Sequence, residues 1–314
     1  MRPGAAPPRP RGARRVRGTP GLWAACLFLG LIILAGIAPE LLAPASPTET
    51  DVLRALRPPS AEHLLGTDAN GRDVLSRIIH GARPSLLAGL GATALAVVGG
   101  TALGLLAALG GRVLDEIVMR LVDVVLSLPG MLLALLVLSV TGPGVGGTLL
   151  AIAAFSIPIY ARLMRVQTMV IKRSEYVAAA TSLGLGRPHI IVRHILPNAF
   201  APLVVLATIG VGAALVAASS LSFLGFGPQP PDPEWGAMLS DGRDYFALAW
   251  WIAVFPGAAI SLTVLSITVV GRRLQGRAEA SAAPRPRGAG HAGLTAAPGP
   301  RSRSRHDERG GNRP

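Results

Sequence analysis

Residues 85–110 read SLLAGLGATALAVVGGTALGLLAALG, and no Asp, Glu, Lys, Arg or His interrupts them. About 20 apolar residues carry a helix across the hydrocarbon core of a bilayer, so this stretch is long enough to be a span. Five more follow the same rule, at 22–38, 124–140, 148–161, 200–218 and 246–270. The fourth is short and is kept because the polar turn at 141–147 separates it from the third. The sequence therefore predicts an all-α membrane protein with six transmembrane helices.

Composition agrees with the spans. The 314 residues are 50% hydrophobic and only 15% charged, with 38 Gly and 27 Pro against 4% aromatics, which suits closely packed membrane helices. A disulfide scaffold is excluded, because Cys26 is the sole cysteine. Among the 30 basic residues Lys172 is the only lysine, and it lies between Ile171 and Arg173, so no Gly-x-x-x-x-Gly-Lys-Ser/Thr phosphate loop exists. The chain is not itself a Walker-type ATPase, and no enzymatic activity is expected of it. Its first span follows an arginine-rich stretch and precedes Ala43-Pro44-Ala45, as a cleaved signal would. Its length and the five later spans favour an uncleaved anchor.

Orientation follows from arginine and lysine. Segment 1–21 holds six basic residues and no acid, 161–199 six against Glu175 alone, and 271–314 ten against three. Segment 44–84 balances five with five, and 219–247 has one against four. By the positive-inside tendency, both termini and the 161–199 loop are expected in the cytoplasm. The turn expected at 111–123, with Arg112 and Arg120 against Asp115, Glu116 and Asp123, does not decide its own side and falls inside by parity. The division expected is a basic tail over 1–21, an anchor over 22–43 and an external segment over 44–84. A membrane-spanning core follows over 85–271, with its cytoplasmic loop at 161–199, and a second basic tail over 272–314. Both tails are low in large apolar groups and read as disordered flanks near lipid. That reading is preferred to nucleic-acid binding, and no nucleic-acid partner is expected.

No Asp, Glu, Lys, Arg or His interrupts the five later spans, which counts against ion-coupled transport and proton pumping. Neither the histidines nor the cysteine form a metal-ligand spacing, and His189 and His194 read as surface or interface residues. An intramembrane protease would need His or Asp near Ser219 and Ser220 at membrane depth, and none is there. Gly100 with Gly104, and Gly210 with Ala214, mark faces for close helix packing within the chain.

The 161–199 loop is too structured for a linker. From Met164 to Leu183 it lacks Gly and Pro, which predicts a helix ending at a left-handed cap on Gly184. Pro188 suits the first turn of a second short helix, which Pro197 is expected to end. A face of Ala178, Ala179 and Ala180 suits entry into a partner's groove or, equally, a bed on lipid headgroups.

The run Glu175-Tyr176-Val177-Ala178-Ala179-Ala180-Thr181-Ser182-Leu183-Gly184, followed by Arg193-His194-Ile195-Leu196-Pro197-Asn198, resembles the EAA loop of binding-protein-dependent ABC transporter permeases. In the pattern Glu-Ala-Ala-x3-Gly-x9-Ile-x-Leu-Pro, Ala179, Ala180, Gly184, Leu196 and Pro197 are kept. The glutamate falls on Ala178 and the isoleucine on His194, and Glu175 lies one turn before the missing carboxylate.

Two external signatures narrow the resemblance to the C-type permease of dipeptide/oligopeptide importers. One is Leu65-Gly66-Thr67-Asp68-Ala69-Asn70-Gly71-Arg72-Asp73-Val74-Leu75-Ser76-Arg77. The other is Leu221-Ser222-Phe223-Leu224-Gly225-Phe226-Gly227-Pro228-Gln229-Pro230-Pro231 with Glu234-Trp235-Gly236-Ala237-Met238-Leu239. Phe255-Pro256-Gly257 extends the likeness to about residues 20–275, while Gly271-Arg272-Arg273-Leu274-Gln275 departs from the family's Gly-Asp-Gly-Leu-Arg ending. On physical grounds Asn70-Gly71 is a good turn and Asp73 a good N-cap, so the first signature reads chiefly as structure. Trp235 suits an interfacial anchor.

The resemblance implies the type I ABC importer (MetI-like) fold in the inner membrane of a prokaryote. It also implies a heterodimer with a second permease, two cytoplasmic ATPase subunits and an external solute-binding protein. No cofactor is then expected on this chain, and ATP and Mg belong to the ATPases. Dipeptides or oligopeptides are the expected cargo, with nickel chelates or another small solute as the alternative and ion-coupled transport as the distant one.

Overall fold

The structure, a computed structural model, describes residues 20–282, so the outer parts of both basic tails lie outside the described residues. Among these residues ten α-helices follow in order: α1 (Pro20–Ile37), α2 (Val74–Leu109), α3 (Arg112–Ser127), α4 (Gly130–Thr141), α5 (Val145–Lys172), α6 (Glu175–Ser182), α7 (Arg187–Ile190), α8 (Leu196–Phe223), α9 (Trp235–Arg243) and α10 (Trp251–Ala282). No strand occurs among the described residues. Among the described residues five helical stretches are long and apolar enough to cross a membrane, and a bent pair makes a sixth when counted as one span.

The long helices alternate in direction. Residues 38–73 and 224–250, with α9, therefore gather at one end of the bundle. The start of α1, the α2–α3 connection, α6 and the later part of α10 gather at the other. With 36 residues, α2 is about 54 Å long at the usual rise, well beyond a hydrocarbon core of about 30 Å. Its first turns, with Arg77, His80 and Arg83, accordingly belong to the α9 end.

Alanine and glycine dominate the contacts among α2, α5 and α8. Ala92, Ala134, Ala151 and Ile152 are fully buried in the middle of the bundle, with Leu138 and Leu221 beside them. A Cβ added at Gly104 would lie 2.5 Å from the Ala161 carbonyl and 2.7 Å from Met164 Cβ, and Gly100 meets Tyr160 and Ile157 in the same way. The small-residue face of α2 thus seats α5 inside the chain, as expected.

Five sequence expectations need correction. The third span is not one straight helix: α3 and α4 meet at 99°, because Leu128 precedes Pro129 and is held extended at ψ 139°. The preceding segment, expected as a turn at 111–123, is helical and belongs to α3. There Asp115 accepts two bonds from the Arg165 guanidinium on α5, one of them 2.6 Å long.

The helix expected from Met164 to Leu183 breaks at Ser174, which is extended at ψ 149°. The Ser174 hydroxyl donates back to the Ile171 carbonyl at 2.6 Å, a local bond that competes with helix continuation. The break turns Val177 and Ala180 inward onto Ile171, Ile190 and Ile195.

Nor does Pro197 end a helix. Helical backbone runs on from Arg187 to Phe223, with a π-helical stretch at Ile191–Ile195 just before the proline. The wider turn makes room for a residue that lacks an N–H and would otherwise crowd the carbonyl four positions back. Finally, Trp235 is no interfacial anchor. It is fully buried, and its indole N–H donates to the Ile78 carbonyl at 2.9 Å, which satisfies the one polar group that would have favoured an interface.

Candidate functional sites at the two ends of the bundle

At one end α6 projects as a short amphipathic helix. Val177 and Ala180 are buried, while Glu175, Ala178 and Ala179 are exposed, so the alanine run divides between two faces. The helix ends as its glycine requires. Gly184 has φ +80°, its N–H donates to Thr181 O at 3.0 Å, and the Leu185 N–H donates to Ala180 O at 3.2 Å. This paired closure satisfies two terminal carbonyls and turns the chain sharply towards α7.

His194 is half-buried with its ring 6.3 Å from those of both Tyr176 and His189. Leu196 is half-buried and Pro197 exposed. Pattern reading passed over Leu183, 82% exposed at the tip of α6, and Tyr176, 45% exposed. Together with Ala178 and Ala179 they give the projection an apolar surface. Leu183 had one legible signal, its place directly before the capping glycine.

At the other end, segments far apart in sequence interlock. Asp68 accepts from the N–H groups of Asn70 at 2.8 Å and Arg72 at 3.0 Å, and from Arg72 Nε at 2.7 Å. Gly66 and Gly71, at φ +79° and +75°, close the turn. The hydroxyl of fully buried Thr67 accepts from the Arg57 N–H at 2.9 Å, and its carbonyl accepts from Trp251 Nε1 at 3.1 Å. Asp73 caps α2 by accepting from the Ser76 N–H and hydroxyl, each at 2.8 Å, and lies 3.0 Å from His63 Nδ1.

The second signature is tied in beside the first. Gln229 Nε2 donates to Gly227 O at 3.2 Å, and Gly236 packs against the Ser219 backbone. Glu234, 3% exposed, caps α9 by accepting from the Ala237 N–H at 2.9 Å. It also accepts from the Ser85 hydroxyl on α2 at 2.9 Å and from the Ser222 hydroxyl on α8. Charge counting along the spans missed this buried carboxylate because it sits in a loop. Only the fold sets it against two membrane helices. No histidine joins Ser219, Ser220 or Ser222 by a hydrogen bond among the described residues, so no nucleophilic triad forms.

Between the two signatures lies a cleft of about 330 Å³ bordered by Asp68, Arg72, Pro230 and Asp241. Asp241 is exposed at its rim, yet desolvation of its carboxyl raises its pKa above the ordinary carboxylate range, against the pull of Arg77 and Arg72. No group of three or more metal-binding side chains occurs among the described residues.

An alternating bundle of apolar helices, with a small capped helix at one end and interlocked loops at the other, defines a polytopic α-helical membrane protein. Residues 100–282 match the family described as "Binding-protein-dependent transport system inner membrane component". The chain belongs to this family and is a permease subunit of an ABC importer, a transport component and not an enzyme.

Among its relatives is the dipeptide transport system permease protein DppC of Alkalihalophilus pseudofirmus, 42% identical over 79% of this chain and 82% of the relative. Another is the di/tripeptide transport system permease protein DppC of Pseudomonas aeruginosa, 43% identical over 79% and 84%. The glutathione transport system permease protein GsiD of Pectobacterium atrosepticum is 42% identical over 80% and 84%. In fold, the chain is similar to an inward-facing structure of the MetNI methionine ABC transporter. That likeness has a TM-score of 0.52 at 18% identity and covers 64% of this chain and 95% of that one.

Proposed function

We propose that this chain is one of two different permease subunits in an ATP-driven importer of di- and oligopeptides. It forms half of the translocation path, with two ATPases on the cytoplasmic side and a solute-binding protein outside. The observation that carries the cargo is the set of relatives named for dipeptide and di/tripeptide transport, at 42–43% identity over 79% of this chain. The α6 projection is the part suited to coupling, because Ala178, Ala179 and Leu183 stand free of the bundle. ATP and Mg are bound by the partner ATPases, since this chain has no phosphate loop.

Uptake is expected to need ATP and the binding protein and to survive a protonophore when ATP is maintained. Proteoliposomes holding both permeases and both ATPases, given labelled di- and oligopeptides beside a nickel chelate, check this. Protonophore-sensitive uptake that ignores ATP would refute the mechanism, and uptake of the chelate alone would replace the cargo.

Charge asymmetry supports an orientation with α6 and both termini in the cytoplasm and the α9 end outside. Cysteines placed at the exposed positions Thr50, Ser182 and Asp232 of a Cys26→Ala chain provide the check. A membrane-impermeant thiol reagent on intact cells should label positions 50 and 232 and spare 182, and the reverse pattern would overturn the orientation.

A further inference from the structure

The cleft at the α9 end holds charges of both signs, and only some of them are paired by direct contact. Its floor comes from Asp68, Arg72 and Arg77, which are 6%, 7% and 4% exposed. One carboxylate serves two guanidiniums there. Arg72 Nε holds it at 2.7 Å, whereas Arg77 Nε stands at 3.5 Å and Arg77 Nη1 donates to the Pro47 carbonyl at 3.3 Å. The floor therefore carries an excess of positive charge.

Across the gap stand Asp241 and Asp244, from α9 and the turn after it. Asp244 pairs only with its exposed neighbour Arg243, and Asp241 forms no ion pair among the described residues. A buried guanidinium and an unpaired carboxylate thus border one open space, and a molecule with both charges can satisfy both walls at once.

Size narrows the ligand. The cleft's volume of about 330 Å³ lies near the lower limit of small-molecule sites, about 300 Å³. An extended dipeptide spans only about 7 Å from end to end. Tyr245, Met238 and Ile252 add less polar wall for its side chains.

We propose that this cleft is a binding subsite for a zwitterionic dipeptide, with the α-carboxylate on Arg77 and Arg72 and the α-ammonium on Asp241 and Asp244. The proposal rests on the peptide-importer reading above and adds a point of contact on the permease itself.

The test uses the whole importer complex purified through this chain and placed in nanodiscs, without its solute-binding protein. Saturation-transfer NMR titrations compare Ala-Ala, N-acetyl-Ala-Ala and Ala-Ala-amide. Either cap is expected to weaken binding by about ten-fold or more, the usual effect of removing a charged hydrogen-bonding group. Asp241→Asn should weaken Ala-Ala by a similar factor and leave N-acetyl-Ala-Ala, which has no ammonium, unchanged.

Equal affinity for free and capped peptides, no binding at all, or an equal effect of Asp241→Asn on both ligands overturns the subsite. So does a lower melting temperature of Asp241→Asn with no ligand effect, which assigns the carboxylate to structure alone. ATP-driven dipeptide uptake by the wild-type complex with its binding protein is measured beside the titrations. Its absence counts against the peptide-importer reading, whereas normal uptake with flat titrations removes only the subsite.

Discussion

Glu234→Ala is expected to destabilise the subunit by about 3–5 kcal/mol, because it leaves two buried hydroxyls and one half-buried N–H without their acceptor, each worth about 1–3 kcal/mol. Those donors are the hydroxyls of Ser85 and Ser222 and the N–H of Ala237, from α2, α8 and α9 in turn. No other carboxylate joins these three elements among the described hydrogen bonds. The melting temperature of the purified complex should fall by on the order of 10 °C.

Glu234→Gln keeps one acceptor oxygen and should lose less, and Ser85→Ala or Ser222→Ala should each cost about 1 kcal/mol. Scanning fluorimetry of the variants against wild type provides the measurement. A Glu234→Ala complex that melts within about 2 °C of wild type would show that the buried carboxylate contributes nothing net to stability.

Two neighbouring alanines on α6 should respond to the same substitution in opposite ways. Ala179 is exposed, so an arginine there leaves the core intact and should change stability by no more than about 0.5 kcal/mol. Its long side chain would hold α6 away from any groove it enters, and solute-stimulated ATPase activity should fall by about ten-fold or more while the complex still assembles.

Ala180 is 6% exposed and packs beneath α6, so Ala180→Arg forces a charge among Val177, Ile190 and Ile195 and should prevent accumulation of the subunit. Membrane abundance, co-purification of the ATPases and stimulated activity read the two variants side by side. Full stimulation in an assembled Ala179→Arg complex would remove α6 from coupling.

The spans were legible because their rule is one-dimensional. A charge-free run such as 85–110 announces itself whatever surrounds it, since the bilayer imposes a uniform cost on charge. The caps were legible for a similar reason: Asp73 and Gly184 act through bonds to residues within a few positions. Breaks set by competing local bonds were harder to see. Ser174 interrupts a run with good helix propensity, and only the burial of Val177 and Ala180 against α7 and α8 settles that competition.

Pro197 shows the opposite error. A residue that usually ends a helix sits within a continuous one, because a π-helical stretch upstream makes room for it. Propensity alone does not weigh a backbone adjustment that packing holds in place.

The sequence by itself determined the class of protein, the approximate places of the spans and the charge asymmetry between their ends, all of which depend on solvation of contiguous segments. It also carried the small-residue face of α2. Only the tertiary structure decided that Trp235 is a core residue, that Glu234 joins α9 to α2 and α8, and that Asp241 looks across a cleft at Arg72 and Arg77. Those outcomes depend on which groups meet across as many as 184 positions of chain, as Thr67 and Trp251 do. Such meetings are set by the summed packing of whole helices, which no local stretch of residues encodes.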